Sequence, residues 1–256
     1  MRLCALGSGS RGNATLIEYG DTTVLVDCGF PARELEKRAE QAGLSLHKLS
    51  AILVTHEHGD HIRGVGAVAR RYDVPVWATH GTLRKGKCGK LAQVNVISPH
   101  HDSFHINDIE VQPVPVPHDA CEPCQYIFTS ASGKKLGMLT DLGCITPQIV
   151  NSYRQLDLLL LECNHDTGML ANGPYPPSLQ ARVGGNHGHL NNHQAAQLLQ
   201  AIEHGRLQHL VLAHLSEKNN QPARVSDTIC DACPDISGRF SILQQDAVSD
   251  WFEISD

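Results

Sequence analysis

One stretch of sequence, THEHGDHIRG, decides the fold and runs from Thr55 to Gly64. It follows the apolar run AILV and leads into the amphipathic stretch IRGVGAVARRY, so we place it on a turn between a strand and a helix. Alternating His-x-His on an extended backbone points both imidazoles to one side, and the turn brings the next ligand-type residues to a second point nearby. The stretch therefore predicts a metal site with these ligands: His56, His58, Asp60 and His61.

Three later segments share one form, in which an apolar strand is followed by a single ligand-type residue. His118 follows IEVQPVPVP, Asp141 follows LGMLT and His214 follows LVLA. Each residue alone would be interpreted as a polar group at a strand end, but together they complete two coordination spheres. We expect two divalent ions, zinc or manganese, with iron as a further alternative.

The composition is that of an ordinary globular protein. The chain has 256 residues, of which 41% are hydrophobic and 19% charged, and it has no low-complexity linker, so we predict a single domain over residues 1–256. No run of eighteen apolar residues occurs, and the opening MRLCALGSGSRGN goes straight into a Gly/Ser loop. We therefore expect neither a membrane span nor a signal peptide, and a cytoplasmic location.

Charge and histidine content bear on the substrate. The net charge of −6 provides no global field to attract an anionic polymer, so a nucleic-acid partner would depend on local basic patches. The sixteen histidines gather in short polar segments after apolar runs, as in a site built on strand ends. The oligomeric state stays open.

Short apolar runs alternate with amphipathic stretches along the chain. Strands are predicted over residues 14–19, 23–27, 51–55, 74–78, 94–98, 109–116, 125–130, 135–140, 157–162, 209–213 and 239–243. Helices are predicted over residues 31–42, 61–72, 147–155, 192–203 and 222–233. The Gly- and Pro-rich segment 171–186 is interpreted as a loop. This order favours the α/β class, as an αββα sandwich of two mixed sheets flanked by helices.

The ordered motifs, which begin with Asp27 in LVDCG, resemble those of the metallo-β-lactamase superfamily over nearly the full length. The resemblance implies that fold, and that one ion is held by His56, His58 and His118. It implies that the other ion is held by Asp60, His61 and His214. Asp141 would bridge the two ions, and Asp27 would be structural.

Four further segments narrow the resemblance: LGSGSRGNATLIE, LECNHDTGML, GHLNN and AHLSEKNN. They are similar to the YycJ/WalJ/VicX subfamily, whose members are described as 5′-to-3′ DNA exonucleases. The implied reaction is phosphodiester hydrolysis by a hydroxide that bridges the two metal ions, with DNA favoured over RNA. Asn191 departs from the subfamily pattern, which has serine after GHL.

Candidate substrate-binding residues come from two loops. Residues 7–13 supply small side chains and backbone N–H groups that could form an anion-binding nest, although a flexible turn explains the glycines equally well. A second loop follows His214 closely and would orient that ligand or line the pocket. The candidates are Ser8, Ser10, Asn13, Asn219 and Asn220.

Candidate catalytic residues are Asp60, His165 and His189. A sugar oxygen leaves poorly unless it is protonated, and histidine is the usual proton donor near neutral pH. We favour His189 over His165, because Gly188 allows close backbone approach and a helix N-cap follows.

Three other functions remain as alternatives. The same ions could polarise the carbonyl of a small ester, thioester or lactone, and the enzyme could process RNA instead of DNA. A non-catalytic regulator could keep the metal site for structure, but the ligand set is complete, which argues against that interpretation.

Overall fold

The computed structural model describes residues 1–100 and 103–255. The strands in these ranges are β1 Arg2–Gly7, β2 Ala14–Tyr19, β3 Thr22–Val26, β4 Ala51–Leu53, β5 Val76–Thr79, β6 Val94–Ile97, β7 Phe104–Ile106, β8 Ile109–Pro115, β9 Cys124–Ser130, β10 Lys135–Leu139, β11 Leu158–Glu162, β12 His209–Ala213, β13 Phe240–Ile242 and β14 Phe252–Glu253. The α-helices are α1 Ala32–Gln41, α2 Gly59–Ile62, α3 Val65–Tyr72, α4 His80–Lys85, α5 Pro147–Ser152, α6 Thr167–Asn172, α7 Pro177–Val183, α8 Asn192–Ala201 and α9 Pro222–Ala232.

The chain forms two compact units. Unit 1 comprises Met1–Pro115, Ala120–Lys134 and Gln244–Asp256, and unit 2 comprises Val116–Asp119 and Lys135–Leu243. The prediction of a single domain stays a prediction. Within the described residues, no helix has the length and hydrophobicity that crossing a membrane requires.

Unit 1 contains a mixed sheet with the strand order β14-β1-β2-β3-β4-β5-β6. Strand β1 pairs antiparallel with β14 and with β2, and β2 pairs antiparallel with β3. The remaining neighbours, from β3 through β4 and β5 to β6, are parallel. Strands β3 and β4 pair with Leu25 opposite Ile52, so their carboxyl ends lie at one sheet edge. Asp27 and Thr55 leave the sheet at that edge. The antiparallel strands β7, β8 and β9 also belong to this unit.

Hydrophobic burial holds unit 1 together. Helix α1 buries Leu35 and Ala39, and α3 buries Val65 and Val68, in one cluster with sheet residues such as Leu25. These helix positions recur at i, i+3 and i+4, which places them on one face. Each fully buried aliphatic side chain contributes about 1.5–3 kcal/mol relative to exposure.

Unit 2 is built on four parallel strands in the order β10-β11-β12-β13. Leu161 of β11 lies opposite Leu139 of β10 and Leu212 of β12. Strand β11 (LLLLE) is buried at every position, as expected for a parallel strand covered on both faces. The register brings the carboxyl ends of three strands together, where Asp141, Glu162 and His214 lie.

Two sequence predictions were wrong in detail. The predicted helix 61–72 is divided before Val65, because the backbone N–H of Gly64 donates to the Cys28 carbonyl (2.7 Å) and a Cβ on Gly64 would lie 2.0 Å from the Phe30 oxygen. The segment interpreted as a loop, 171–186, contains α7. That helix buries none of its residues, so it leaves no periodic apolar pattern, although Pro177 marks its first turn.

Candidate metal centre

The His-x-His pair of unit 1 has the spacing that one metal ion requires. Nε2 of His56 and Nδ1 of His58 lie 3.0 Å apart. Two nitrogens on a tetrahedral zinc ion, at about 2.0–2.1 Å from the metal, would be about 3.3 Å apart. The two imidazoles therefore converge on one point, as the extended backbone at residues 56–58 predicts.

Asp27 contacts His61 directly and reaches His56 through Thr55, whose Oγ1 lies 3.0 Å from Nδ1 of His56. Asp27 Oδ1 accepts from the backbone N–H of Thr55 (2.8 Å), and Oδ2 accepts from the Thr55 hydroxyl (2.7 Å) and from Nδ1–H of His61 (2.7 Å). Because a carboxylate only accepts, the His61 proton lies on Nδ1 and its lone pair on Nε2. Nε2 of His61 lies 3.6 Å from Asp60 Oδ2, so these two predicted ligands also converge.

Asn13 connects the opening loop to the metal-binding turn. Its Oδ1 accepts from the Gly9 backbone N–H (2.8 Å), while Nδ2 lies 3.0 Å from Nε2 of His61 and 3.3 Å from Asp60 Oδ2. Ser8 is buried, and the exposed Ser10 donates to Gln245 Oε1 (3.3 Å). The contacts of Asn13 make it a support for the ligand turn, and the substrate roles of all three residues stay predictions.

Unit 2 holds a second cluster of ligand-type side chains. Its members, which each offer one atom within 4.8 Å of the others, are Asp141, Glu162, His189 and His214. Asp141 Oδ2 lies 3.3 Å from Nδ1 of His214, and Oδ1 lies 4.0 Å from Nε2 of His118. The two carboxylate oxygens of Asp141 therefore face different imidazoles, which suits a carboxylate that bridges two ions.

His118 is oriented for coordination. Its Nδ1–H donates to the Gly188 carbonyl (3.0 Å), which leaves the lone pair on Nε2, the nitrogen nearer Asp141. Burial lowers the pKa of His118. The neutral imidazole is the form that binds a metal ion, so the local environment fits the donor role.

Glu162 is a further candidate site residue, which the sequence pattern did not single out. It is fully buried, and its Oε2 accepts from the backbone N–H groups of Leu142 and Leu190 (both 3.1 Å). Its Oε1 accepts from Nδ1–H of His189 (2.7 Å). The signal was present, because Glu162 ends an entirely apolar strand just as Asp141 and His214 follow theirs.

The environments of the two candidate proton donors differ. Burial disfavours protonation of His189, but the charge and hydrogen bond of Glu162, helped by Asp141, outweigh it and raise the pKa of His189 to about 9. Burial lowers the pKa of His165 to about 4. Near neutral pH the His189 ring is therefore protonated and the His165 ring is neutral.

The low pKa of His165 predicts a loss of stability in acid. His165 binds a proton near pH 6.5 in the unfolded chain and only near pH 4 in the folded chain. Its contribution to the free energy of unfolding is therefore fully present above pH 6.5 and is lost as the pH falls toward 4. The decline should reach about 3 kcal/mol. We expect urea unfolding of the metal-free protein to show this acid loss reduced in His165→Gln but not in His193→Gln, an exposed control. An equal acid loss in His165→Gln and wild type would contradict the assignment.

Three site residues adopt left-handed backbone conformations one or two residues after the end of a strand. The φ angles are 60° at Asp27, 54° at Asp141 and 57° at His214. Such conformations cost on the order of 1–3 kcal/mol for a residue other than glycine, although Asn, Asp and His tolerate them best. At each of these positions the side chain contacts another site residue: Asp27 contacts His61, and Asp141 contacts His214.

The second predicted substrate loop is partly structural. Asn220 Nδ2 donates to the Cys163 carbonyl and to Asn192 Oδ1 (both 2.8 Å), which fastens the start of α8 to the end of β11. Asn191 caps the same helix in a reciprocal capping box with Gln194. Asparagine at position 191 can therefore cap the helix in place of the serine of the subfamily pattern.

Comparison with known proteins identifies the family. Residues 22–215 match the family described as beta-lactamase superfamily domain. The chain belongs to the metallo-β-lactamase superfamily. It is 35% identical to exodeoxyribonuclease YycJ of Bacillus anthracis over 86% of this chain and 84% of that relative. It is 32% identical to exodeoxyribonuclease WalJ of Streptococcus pneumoniae over 84% of this chain and 81% of that relative.

Both levels of the predicted resemblance, superfamily and YycJ/WalJ subfamily, are confirmed. The solved metallo-β-lactamase fold protein YhfI of Bacillus subtilis aligns with a TM-score of 0.74 at 17% identity, over 97% of this chain and 99% of that one. The predicted fold of two mixed sheets flanked by helices is therefore confirmed. The chain is a metal-dependent hydrolase of this superfamily, and its His and Asp clusters support divalent metal binding.

Proposed function

We propose that this metallo-β-lactamase family member is a phosphodiesterase that degrades DNA from the 5′ end. The observation that carries the substrate class is the similarity to exodeoxyribonucleases YycJ and WalJ over most of the chain. The proposed ligands of two ions, zinc or manganese, are His56, His58, Asp60, His61, His118, Asp141 and His214.

The side chains supply orientation and a proton. When bound, the ions would activate a water molecule and neutralise charge on the phosphoryl oxygens. His61 and His118 enter the site with their Nδ1 protons already held by Asp27 and the Gly188 carbonyl, so little reorientation opposes binding. Glu162 accepts the Nδ1 proton of His189, so the protonated ring would give its other proton, on Nε2, to the departing sugar oxygen.

The test is digestion of end-labelled DNA and RNA, each single- and double-stranded, by the purified protein with added manganese or zinc. We expect mononucleotides released stepwise from the 5′ end of DNA, and no release by Asp141→Asn, which controls for contaminating nucleases. Internal cleavage of RNA would support the RNA-processing alternative. Hydrolysis of a thioester or lactone without DNA cleavage would overturn the proposal.

The opening loop predicts a preference for a terminal phosphate. Its backbone N–H groups and hydroxyls suit an anion, although Arg11 is already paired with Asp246 (2.5 Å). A 5′-phosphorylated duplex should be degraded faster than a 5′-hydroxyl duplex. Ser10→Ala should reduce that ratio roughly tenfold, the worth of one hydrogen bond to a charged group, and Ser8→Ala should reduce it as well.

Relative initial rates on the two duplexes check this prediction. Ser132→Ala, which changes an exposed serine in the turn after β9, is the matched control and should keep the wild-type ratio. Equal wild-type rates on both ends would show that the loop does not read the phosphate.

A further inference from the structure

A cavity lies in unit 2 beside the loops that leave the ligand-bearing strands. Its volume is about 470 Å³, and its lining residues are Gly168, Met169, Asn172, Gly173, Lys218 and Arg224. The first four follow β11 and the last two follow β12. A cavity of this size falls in the range of small-ligand sites, about 300–1,000 Å³.

The cavity wall is cationic. Lys218 and Arg224 are both exposed, and the six lining residues include no carboxylate. Nη1 of Arg224 lies 3.3 Å from Asp166 Oδ1, an oxygen that also accepts from the Met169 backbone N–H (2.8 Å). Asp166 therefore aims the guanidinium and is itself partly neutralised by α6, which leaves the wall suited to an anion such as a phosphate.

The cavity is tied closely to the metal-ligand strands. Asn164 Nδ2 donates to the His214 carbonyl (3.0 Å), and the Asp166 backbone N–H donates to the Asn219 carbonyl (2.9 Å). Lys218 is four residues from His214, so their Cα atoms are at most about 14 Å apart. At a rise of about 3.4 Å per nucleotide, that distance corresponds to about four nucleotides.

We propose that this cavity binds one nucleotide of the substrate strand, within about four nucleotides of the scissile bond. Lys218 and Arg224 contact its phosphate. The proposal rests on the proposed nuclease function and adds a strand-binding subsite to it.

The test compares DNA substrates that do and do not reach the cavity. For the double variant Lys218→Ala/Arg224→Ala we expect KM on a single-stranded octamer to rise about tenfold or more, since a charge-assisted phosphate contact is worth about 1.5–3 kcal/mol. A dinucleotide and bis(4-nitrophenyl) phosphate, which are too short to span the distance, should be hydrolysed at wild-type rates. Arg154→Ala, an exposed arginine elsewhere in unit 2, is the matched control.

Equilibrium binding of a fluorescent octamer without added metal gives a second readout. The slope of log K against log salt should fall by about 0.7 for each phosphate of the single strand that the variant no longer neutralises. Arg224→Lys with Lys218 retained should keep most of the slope, because the charge remains.

Two failures are distinguishable. An unchanged octamer KM and salt slope in the double variant, with DNA still degraded, would overturn the subsite alone. If wild type degrades no DNA, the proposed function fails, and an unchanged slope in the variant would then overturn the subsite independently.

Discussion

Replacement of Asp141 by asparagine should leave fewer than two divalent ions per chain and remove nearly all turnover. Its two carboxylate oxygens face different imidazoles, Oδ2 toward His214 at 3.3 Å and Oδ1 toward His118 at 4.0 Å, so loss of its charge weakens both positions at once. We expect the loss of activity to exceed ~100-fold, the upper end of what removal of a mere supporting partner costs. Asparagine tolerates the left-handed backbone at this position, so the fold should persist.

Elemental analysis after reconstitution, paired with turnover on a phosphodiester, checks this expectation. Asp73→Asn is the matched control, since Asp73 has a similar φ of 54° but lies at the end of α3. The control should keep about two ions and full activity. A wild-type content near one ion with full activity would contradict the bridging role of Asp141.

Replacement of His189 by alanine should slow the reaction about 10²–10⁴-fold, the usual worth of general acid catalysis. Its Nδ1–H is held by the buried Glu162 at 2.7 Å, and the pKa of His189 is raised to about 9, so near neutral pH the ring also carries a proton on Nε2 that it can donate. Glu162→Gln removes the charge that raises the pKa and should slow the enzyme in the same direction. Both variants should retain two ions.

A substrate whose leaving oxygen is replaced by sulfur separates proton donation from binding. Sulfur departs without a proton, so His189→Ala should cleave this substrate nearly as fast as wild type does. His193→Ala, an exposed histidine on α8, is the control and should behave as wild type on both substrates. Equal slowing of His189→Ala on both substrates, or loss of an ion, would mean that His189 binds phosphate or metal instead.

Most residues of the candidate site were predicted from the spacing of ligand-type residues in the sequence. His56, His58 and His61 follow one strand within six residues, so local backbone geometry alone brings them together. Asp141 and His214 were predictable because parallel strands place their carboxyl ends at one sheet edge, and the structure has β10, β11 and β12 in that arrangement.

Features that depend on distant contacts were not predictable in the same way. The apolar strand that Glu162 ends marks it as a candidate, but its hydrogen bond to His189, 27 residues later, is a contact that the sequence does not show. Strand β1 was overlooked because MRLCALG precedes a Gly/Ser loop, and its pairing with β2 and β14 defines it. Helix α7 has no buried face and hence no hydrophobic period to detect.

The left-handed backbone at Asp27, Asp141 and His214 also limits how this sequence can drift during evolution. At φ near 55–60° only a few side chains are tolerated, and aspartate, asparagine, histidine and glycine are foremost among them. Two of the commonest metal-binding residues are thus also the ones this backbone accepts. A descendant that lost its ions should therefore carry asparagine or glycine at these three positions, and alanine or valine only where the strand ends themselves have been rebuilt.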